Sequence, residues 1–519
     1  MTTNQDTFTR DLFTTLYTTK TATRPSDAAR QAVADLFRQA VDAKGTGAII
    51  ALFSALLEHH DHDGWTPDQL GLDRSLLEEL AARHEQTDEH HVTVGGRVGR
   101  ARPIVDAARL RVADYLDRHR TEAPSGIEVW DQMEANRQRI KKILGMTDED
   151  WNSYTGQLRH AIESVETLAK VVDLPASAIA DVTRVTKTYR MRLTPYYASL
   201  ILPGQINDPV LLQAVPTGEM IDNAGEEIPP VAADHSPARL IDQFYPRVVT
   251  IKATNMCAMY CTHCLRIAHI GGKDKVYGKE AYTEALDYIR RNTEIRDVLI
   301  TGGDSFVLPN SMLQWLLGEL DSIDHLRMKR LGTRIPVTTP QRIDAELLDI
   351  LEASNDQKPV RVVTQINTAQ EITPTSRQAF QAISKRVMAV MNQAVLLKGI
   401  NDTRVKMWKL CETIQESYVR PYYVFNCSYR NPQFAHLRVP VEVGQDIVES
   451  MYGNISGDAI PRYIATAGGK IPLHRTNVLA FEDGSVRMQK PWSGETVNYP
   501  DPKPEDYARR DFGFAKYAK

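Results

Sequence analysis

No apolar run in this 519-residue chain approaches the ~20 residues that a bilayer-crossing helix requires, so nothing argues for a membrane partner. An excess of one charge is missing too. With 62 Lys and Arg against 66 Asp and Glu, the net charge is −4, which offers no footing for nucleic acid. The opening residues, Met1 to Asp6, lack the basic-then-apolar order of a secretory leader. Cysteine is scarce: five residues, an odd number in a long chain. That count speaks against a disulfide framework and for a reducing compartment, the cytoplasm. What is present is ordinary. Hydrophobic content of 42% and charged content of 25% fit a chain with a large core and two or three structural units.

Three of the five cysteines fall in one short stretch, Cys257-Ala258-Met259-Tyr260-Cys261-Thr262-His263-Cys264. It follows a β-rich run, Val248 to Thr254. Three thiolates on one loop can hold three irons of a [4Fe–4S] cubane and leave the fourth iron open for a small molecule. A zinc loop would need a fourth protein ligand and usually shows paired C-x-x-C knuckles.

Residues 1–125 read as helical, with Ser26 capping a helix over Asp27–Phe37 and a second apolar helix around Ala48–Leu57. The run Glu58-His59-His60-Asp61-His62-Asp63 reads as a solvated loop, since consecutive histidines cannot all face one ion. Residues 126–240 read as further helices, one from Trp151 to about Val172, then an irregular linker ending at Pro237. From 241 to 455, short β-rich runs alternate with amphipathic segments. The predicted strands are Val248–Thr254, Asp297–Thr301, Ile335–Thr339, Val360–Ile366, Met388–Leu397 and Val419–Asn426. Six such units predict an α/β fold, a partial (β/α)6 barrel with its site at the C-terminal ends of the strands. Residues 456–519 read as a small strand-rich cap whose charged, aromatic end lies along the surface.

Strand two runs into Gly302-Gly303-Asp304, where glycines permit close approach of a ligand to the backbone. Asn392 and Gln393 are polar residues inside an apolar run, suited either to a satisfied core amide or to a ligand cavity. Lys470 follows Gly468-Gly469 and precedes Ile471-Pro472-Leu473. Desolvation there would favour the neutral amine that forms a Schiff base, although Gly-Gly-Lys also makes ordinary exposed turns.

The cysteine spacing resembles the radical S-adenosylmethionine (SAM) signature. From about Trp151 to Pro500 the chain resembles the lysine 2,3-aminomutase family, radical SAM enzymes that also carry pyridoxal phosphate (PLP). The matching stretches include Leu193 to Tyr197, Gln213 to Thr217, Tyr245-Pro246, Met256 to Cys264 and Gly302 to Asp304. Gly332-Thr333-Arg334, Pro340 to Arg342, Asn392 to Leu397, Arg420 to Tyr423 and Gly468 to Lys470 complete the set. The resemblance implies that Cys257, Cys261 and Cys264 bind the cluster. The Gly302–Asp304 turn, with Asn392 and Gln393, would serve SAM. Lys470 would carry PLP, Tyr245 and Arg247 would help seat it, and Arg266 would clamp the substrate α-carboxylate. The implied reaction uses a cluster electron to cleave SAM to a 5′-deoxyadenosyl radical, and nitrogen then moves from Cα to Cβ of an amino acid held on PLP. A flavodoxin or ferredoxin as electron donor, and a homo-oligomer, are expected.

The departures bear on the substrate. Lysine-specific members hold the distal ammonium between two aspartates, whereas this chain has Ser428 at the first position and Thr466 at the second. Losing both carboxylates removes the charge that would offset desolvating an ammonium. A non-lysine α-amino acid is therefore expected, arginine among the candidates, with Tyr429, Arg430 and Asp458 near enough in sequence to read its side chain. A shifted pocket would instead give a side-chain desaturase or deaminase that consumes SAM. A cluster-bearing binding protein without turnover is the reading from another class. The family's C-terminal zinc-binding cysteines are absent, and Cys411 and Cys427 read as buried apolar thiols.

Overall fold

The computed structural model describes residues 108–228, 235–270 and 273–517. The chain divides into two compact units, Met1–Asp117 and Arg118–Lys519. The helices read near Asp27–Phe37 and Ala48–Leu57, and the histidine-rich loop, lie outside the described residues.

In the second unit nine strands form one sheet in chain order. They are β1 (Ile241–Tyr245), β2 (Val248–Thr254), β3 (Asp297–Gly302), β4 (Met328–Gly332), β5 (Val360–Thr364), β6 (Ala389–Leu396), β7 (Arg420–Asn426), β8 (Arg462–Thr466) and β9 (Lys470–Pro472). Strands β2 to β8 are parallel, while β1 and β9 run antiparallel at the edges. Helices Thr283–Arg291, Asn310–Asp321, Ala345–Gln357, Pro374–Ser384, Arg404–Gln415 and Val441–Glu449 carry the crossovers. This is the α/β partial barrel that six strand–helix units predicted, β2 to β7, with β8 as a seventh parallel strand. The strands keep a period of two. In β3, Val298 and Ile300 are fully buried beneath the helices, while Asp297, Leu299 and Thr301 lie on the lumenal face.

The third strand is not where β-propensity placed it. Ile335–Thr338 is a short helical turn, and β4 is the unpromising sequence Met-Lys-Arg-Leu-Gly just before it. Pro336 cannot donate to a ladder, and the amide of Ile335 is taken by Thr333 Oγ1 at 3.1 Å. Lys329 can sit in a central strand because its ammonium, fully buried, meets Asp321 and donates to Ser354 Oγ and the Ser354 carbonyl. Asp321→Ala is expected to lower stability by about 3–5 kcal/mol, because it strands a buried charge. The denaturation midpoint checks this, and an unchanged midpoint would refute the account.

The long helix read from Trp151 is three pieces, Asp148–Asn152, Tyr154–Arg159 and Val165–Val171. Ser153 and Ser164 interrupt it by capping the second and third pieces through their side chains. Part of the stretch read as a linker is core: Pro209–Ala214 is a helix buried from Val210 to Ala214, and Leu211 and Val215 join one apolar cluster with Trp151, Val395 and Leu397. The C-terminal tail returns to the same cluster instead of lying on the surface, with Phe514 fully buried and its amide bonded to Asn207 Oδ1 at 2.9 Å. Strands β10 (Val478–Glu482), β11 (Ser485–Gln489) and β12 (Thr496–Pro500) form a separate antiparallel sheet, the strand-rich part expected near the C-terminus.

Candidate active site

Because β2 to β8 are parallel, the residues just beyond their C-terminal ends gather at one rim. The cysteine loop leaves β2, Gly303-Asp304 leaves β3, Thr333-Arg334 leaves β4, Gln365 to Asn367 leave β5, Ser428 follows β7, and Gly468-Gly469 leaves β8.

All five cysteines are free thiols, and Cys411 and Cys427 are buried as expected. Cys257, Cys261 and Cys264 line one solvent-connected cavity with Tyr260, Met259 and Ile267. Burial pushes the Cys257 thiol well up, with Asp304 and the other two loop thiols adding to it, and pushes the Cys264 thiol to about 12, with Cys261 adding. Something positive must therefore offset a thiolate there. Arg334 does so for Cys261: Nη1 donates to Sγ at 2.8 Å. The guanidinium is buried, and Nη2 meets Glu371 at 2.7 Å, Gln213 Oε1 at 2.6 Å and Tyr197 OH at 3.1 Å. His263 is buried, with Nε2 near Gln365 and Asn367 and with Nδ1 free of any partner. Among the described residues no three such side chains converge on a single ion. A cubane asks for something else, one thiolate on each of three irons, and this donor set fits it.

The Gly302-Gly303 pair allows a close approach of backbone to backbone. Gly302 has φ +122°, and a Cβ on Gly303 would fall 1.9 Å from the Met256 carbonyl. The two glycines let β3 lie against the backbone that launches the cysteine loop, with the Asp304 amide bonded to Met256 O at 2.8 Å. Asp304 is buried, its carboxylate accepting from the amides of Phe306 at 2.9 Å and Arg334 at 2.6 Å. It thus ties three strand ends together. Asn392 spends its amide on the backbone of Ile366, accepting at 2.8 Å and donating at 2.9 Å, as a core amide does. Gln393 is half-buried on the next position, where the β6–β7 register slips. That same slip turns both Tyr422 and Tyr423 toward the lumen, their hydroxyls 3.2 Å apart.

Lys470 opens β9, directly paired with Thr466 of β8. Opposed residues of an antiparallel pair share a face, so Thr466 and Lys470 leave the sheet on the same side. Nζ lies 4.8 Å from the ring centre of Tyr423 and 5.8 Å from that of Phe425. Burial, with Arg330 adding to it and Asp297 opposing, lowers its pKa from 10.5 to about 8. An amine poised near neutrality against aromatic faces suits a pyridine aldehyde, so these residues fit PLP. Tyr245 reaches across from the opposite edge, its hydroxyl accepting from the Lys470 amide at 3.1 Å. Arg247 is exposed in the β1–β2 turn. Arg266 is half-buried, 4.0 Å from Asp242 and within electrostatic reach of Cys264 and Cys257.

On the β7 side, Ser428 Oγ accepts from the Arg430 amide at 3.2 Å, and Tyr429 packs edge-on against Tyr499. Asp458 is elsewhere. It precedes β8, at the other end of the sheet, where it bonds Gln415 and Ser456. The β-branched run Ile335–Thr339 draws the expected third strand past Arg334 and hides that residue's place just beyond the end of β4.

No protein-family model matches the chain. Curated relatives do. A glutamate 2,3-aminomutase of Clostridioides difficile is 36% identical over 397 residues, covering 76% of this chain and 93% of the relative. An L-lysine 2,3-aminomutase of Clostridium subterminale is 35% identical over 369 residues, 70% and 88% of the two chains. One of Bacillus subtilis is 35% identical over 379 residues, 72% and 79%. Similarity of that extent makes this chain a member of the lysine 2,3-aminomutase family.

Proposed function

We propose that the chain is a 2,3-aminomutase acting on a free α-amino acid without a distal cation, with a [4Fe–4S] cluster, SAM and PLP as cofactors and a flavodoxin or ferredoxin as electron donor. The observation that carries this reading is the sharing of one half-barrel by the cysteine rim and the Lys470 amine. When bound, the cluster and SAM would supply a carbon radical, and PLP would supply an imine across which nitrogen can move. The residues of the chain hold and orient. Cys257, Cys261 and Cys264 would each take one iron, and Arg334 would steady the thiolate of Cys261. Arg266 would pair with the α-carboxylate through its guanidinium fork. Tyr423 and Phe425 would offer apolar faces to the pyridine ring beside Lys470. The family assignment and the reducing environment that five free thiols prefer both favour the cytoplasm.

Substrate choice rests on Thr466 and Ser428. Thr466 shares a face with Lys470 and carries no charge, and the Ser428 loop brings Arg430 and no carboxylate. A distal ammonium or guanidinium would be desolvated there uncompensated, which disfavours arginine along with lysine. Reconstituted protein given SAM, PLP and reductant should isomerise an acidic or uncharged amino acid, with product mass unchanged, and leave lysine and arginine alone. Turnover of lysine as the best substrate would sink this reading. A product two hydrogens lighter, with SAM consumed, would favour side-chain oxidation instead.

A further inference from the structure

The lumen holds two cations that the proposed reaction leaves without a role. Arg330 of β4 and Arg361 of β5 are directly paired in the parallel register, so their side chains leave the same face as neighbours. That face is the lumenal one. Val360 and Val362, flanking Arg361, are fully buried, and Lys329, beside Arg330, points outward to Asp321 and Ser354. Arg330 Nε donates to Asp297 Oδ1 at 2.8 Å, across the sheet on β3. Nε of Arg361 is buried and has no hydrogen-bond partner. Two guanidinium groups thus face one carboxylate inside a half-barrel, and Arg330 lies within electrostatic reach of Lys470 and Tyr422.

We propose that Arg330 and Arg361 together seat the phosphate ester of PLP, an inference that rests on Lys470 being the lysine that binds this cofactor. A ligand suited to this lumen needs an aldehyde at one end for the amine and an oxyanion at the other for the guanidinium pair. Planar forks match phosphate oxygens two at a time, and a dianion offsets the charge left over by Asp297. Arg247, which the family resemblance put forward for PLP, is exposed in the β1–β2 turn. The lumenal pair takes over that task.

The test compares PLP with pyridoxal, which has the aldehyde but no phosphate, on the full-length protein. Binding is read from visible absorbance and from the mass of Lys470 adducts after borohydride reduction. Wild type should prefer PLP strongly, and inorganic phosphate should compete. Arg361→Gln should cut that preference about tenfold or more while leaving pyridoxal affinity unchanged. Arg361→Lys, which keeps the charge, should retain part of the preference. An undiminished preference in Arg361→Gln would overturn the proposal, as would equal loss of both aldehydes in both variants. A normal preference with weakened affinity for an acidic amino acid would also overturn it, assigning the pair to a substrate carboxylate. Wild type that forms no Lys470 adduct with either aldehyde would instead refute the reading of that lysine.

Discussion

Cys261→Ala is expected to yield a folded protein that holds little iron after reconstitution and releases 5′-deoxyadenosine from SAM only at background. Cys261 is the loop thiol that Arg334 addresses at 2.8 Å, so the substitution removes both an iron ligand and the acceptor of a charged hydrogen bond. The fold should survive. Arg334 keeps Glu371 at 2.7 Å, Gln213 and Tyr197, so its buried charge is not left alone. Iron content, the broad visible absorption of the cluster and far-ultraviolet circular dichroism check the three parts of this expectation. Full iron loading together with undiminished SAM cleavage in a folded variant would remove the cluster assignment.

Lys470→Ala should abolish covalent capture of PLP and lower turnover by about 10³-fold or more, because the amine that would tether the aldehyde is gone. The wild-type amine adds a pH signature. Only the neutral amine attacks an aldehyde, and burial brings its pKa down to about 8. Capture by the apoenzyme should therefore rise with pH and level off above about 8, where an ordinary lysine would keep rising toward 10.5. Stopped-flow absorbance across pH, with borohydride trapping and mass measurement, reads both effects. A reducible PLP adduct persisting in Lys470→Ala would refute the assignment.

Some of this was visible in the residues and some was not, for a consistent reason. Local features carried over. The cysteine spacing, the alternation of strands and helices in β2 to β7, and the glycines before Lys470 are properties of a few adjacent residues. Where propensity and packing disagreed, packing won: Ile335–Thr338 is β-branched and helical, while the charged β4 is a central strand because Asp321 and Ser354 wait behind Lys329. Gly303 is legible in the sequence as a point of close backbone approach, and the Met256 carbonyl lies where its Cβ would stand.

The sequence by itself determined the class of fold, the three-cysteine loop and the Gly-Gly-Lys turn, since each is encoded within a short window. Only the tertiary structure decided which distant charges meet them. Arg334 finds Cys261 from 73 positions away, Tyr245 reaches Lys470 across 225, and Arg361 faces the lumen through its register with Arg330. The side a strand residue faces changes with every single-residue shift in pairing, and pairing is settled by contacts along the whole barrel.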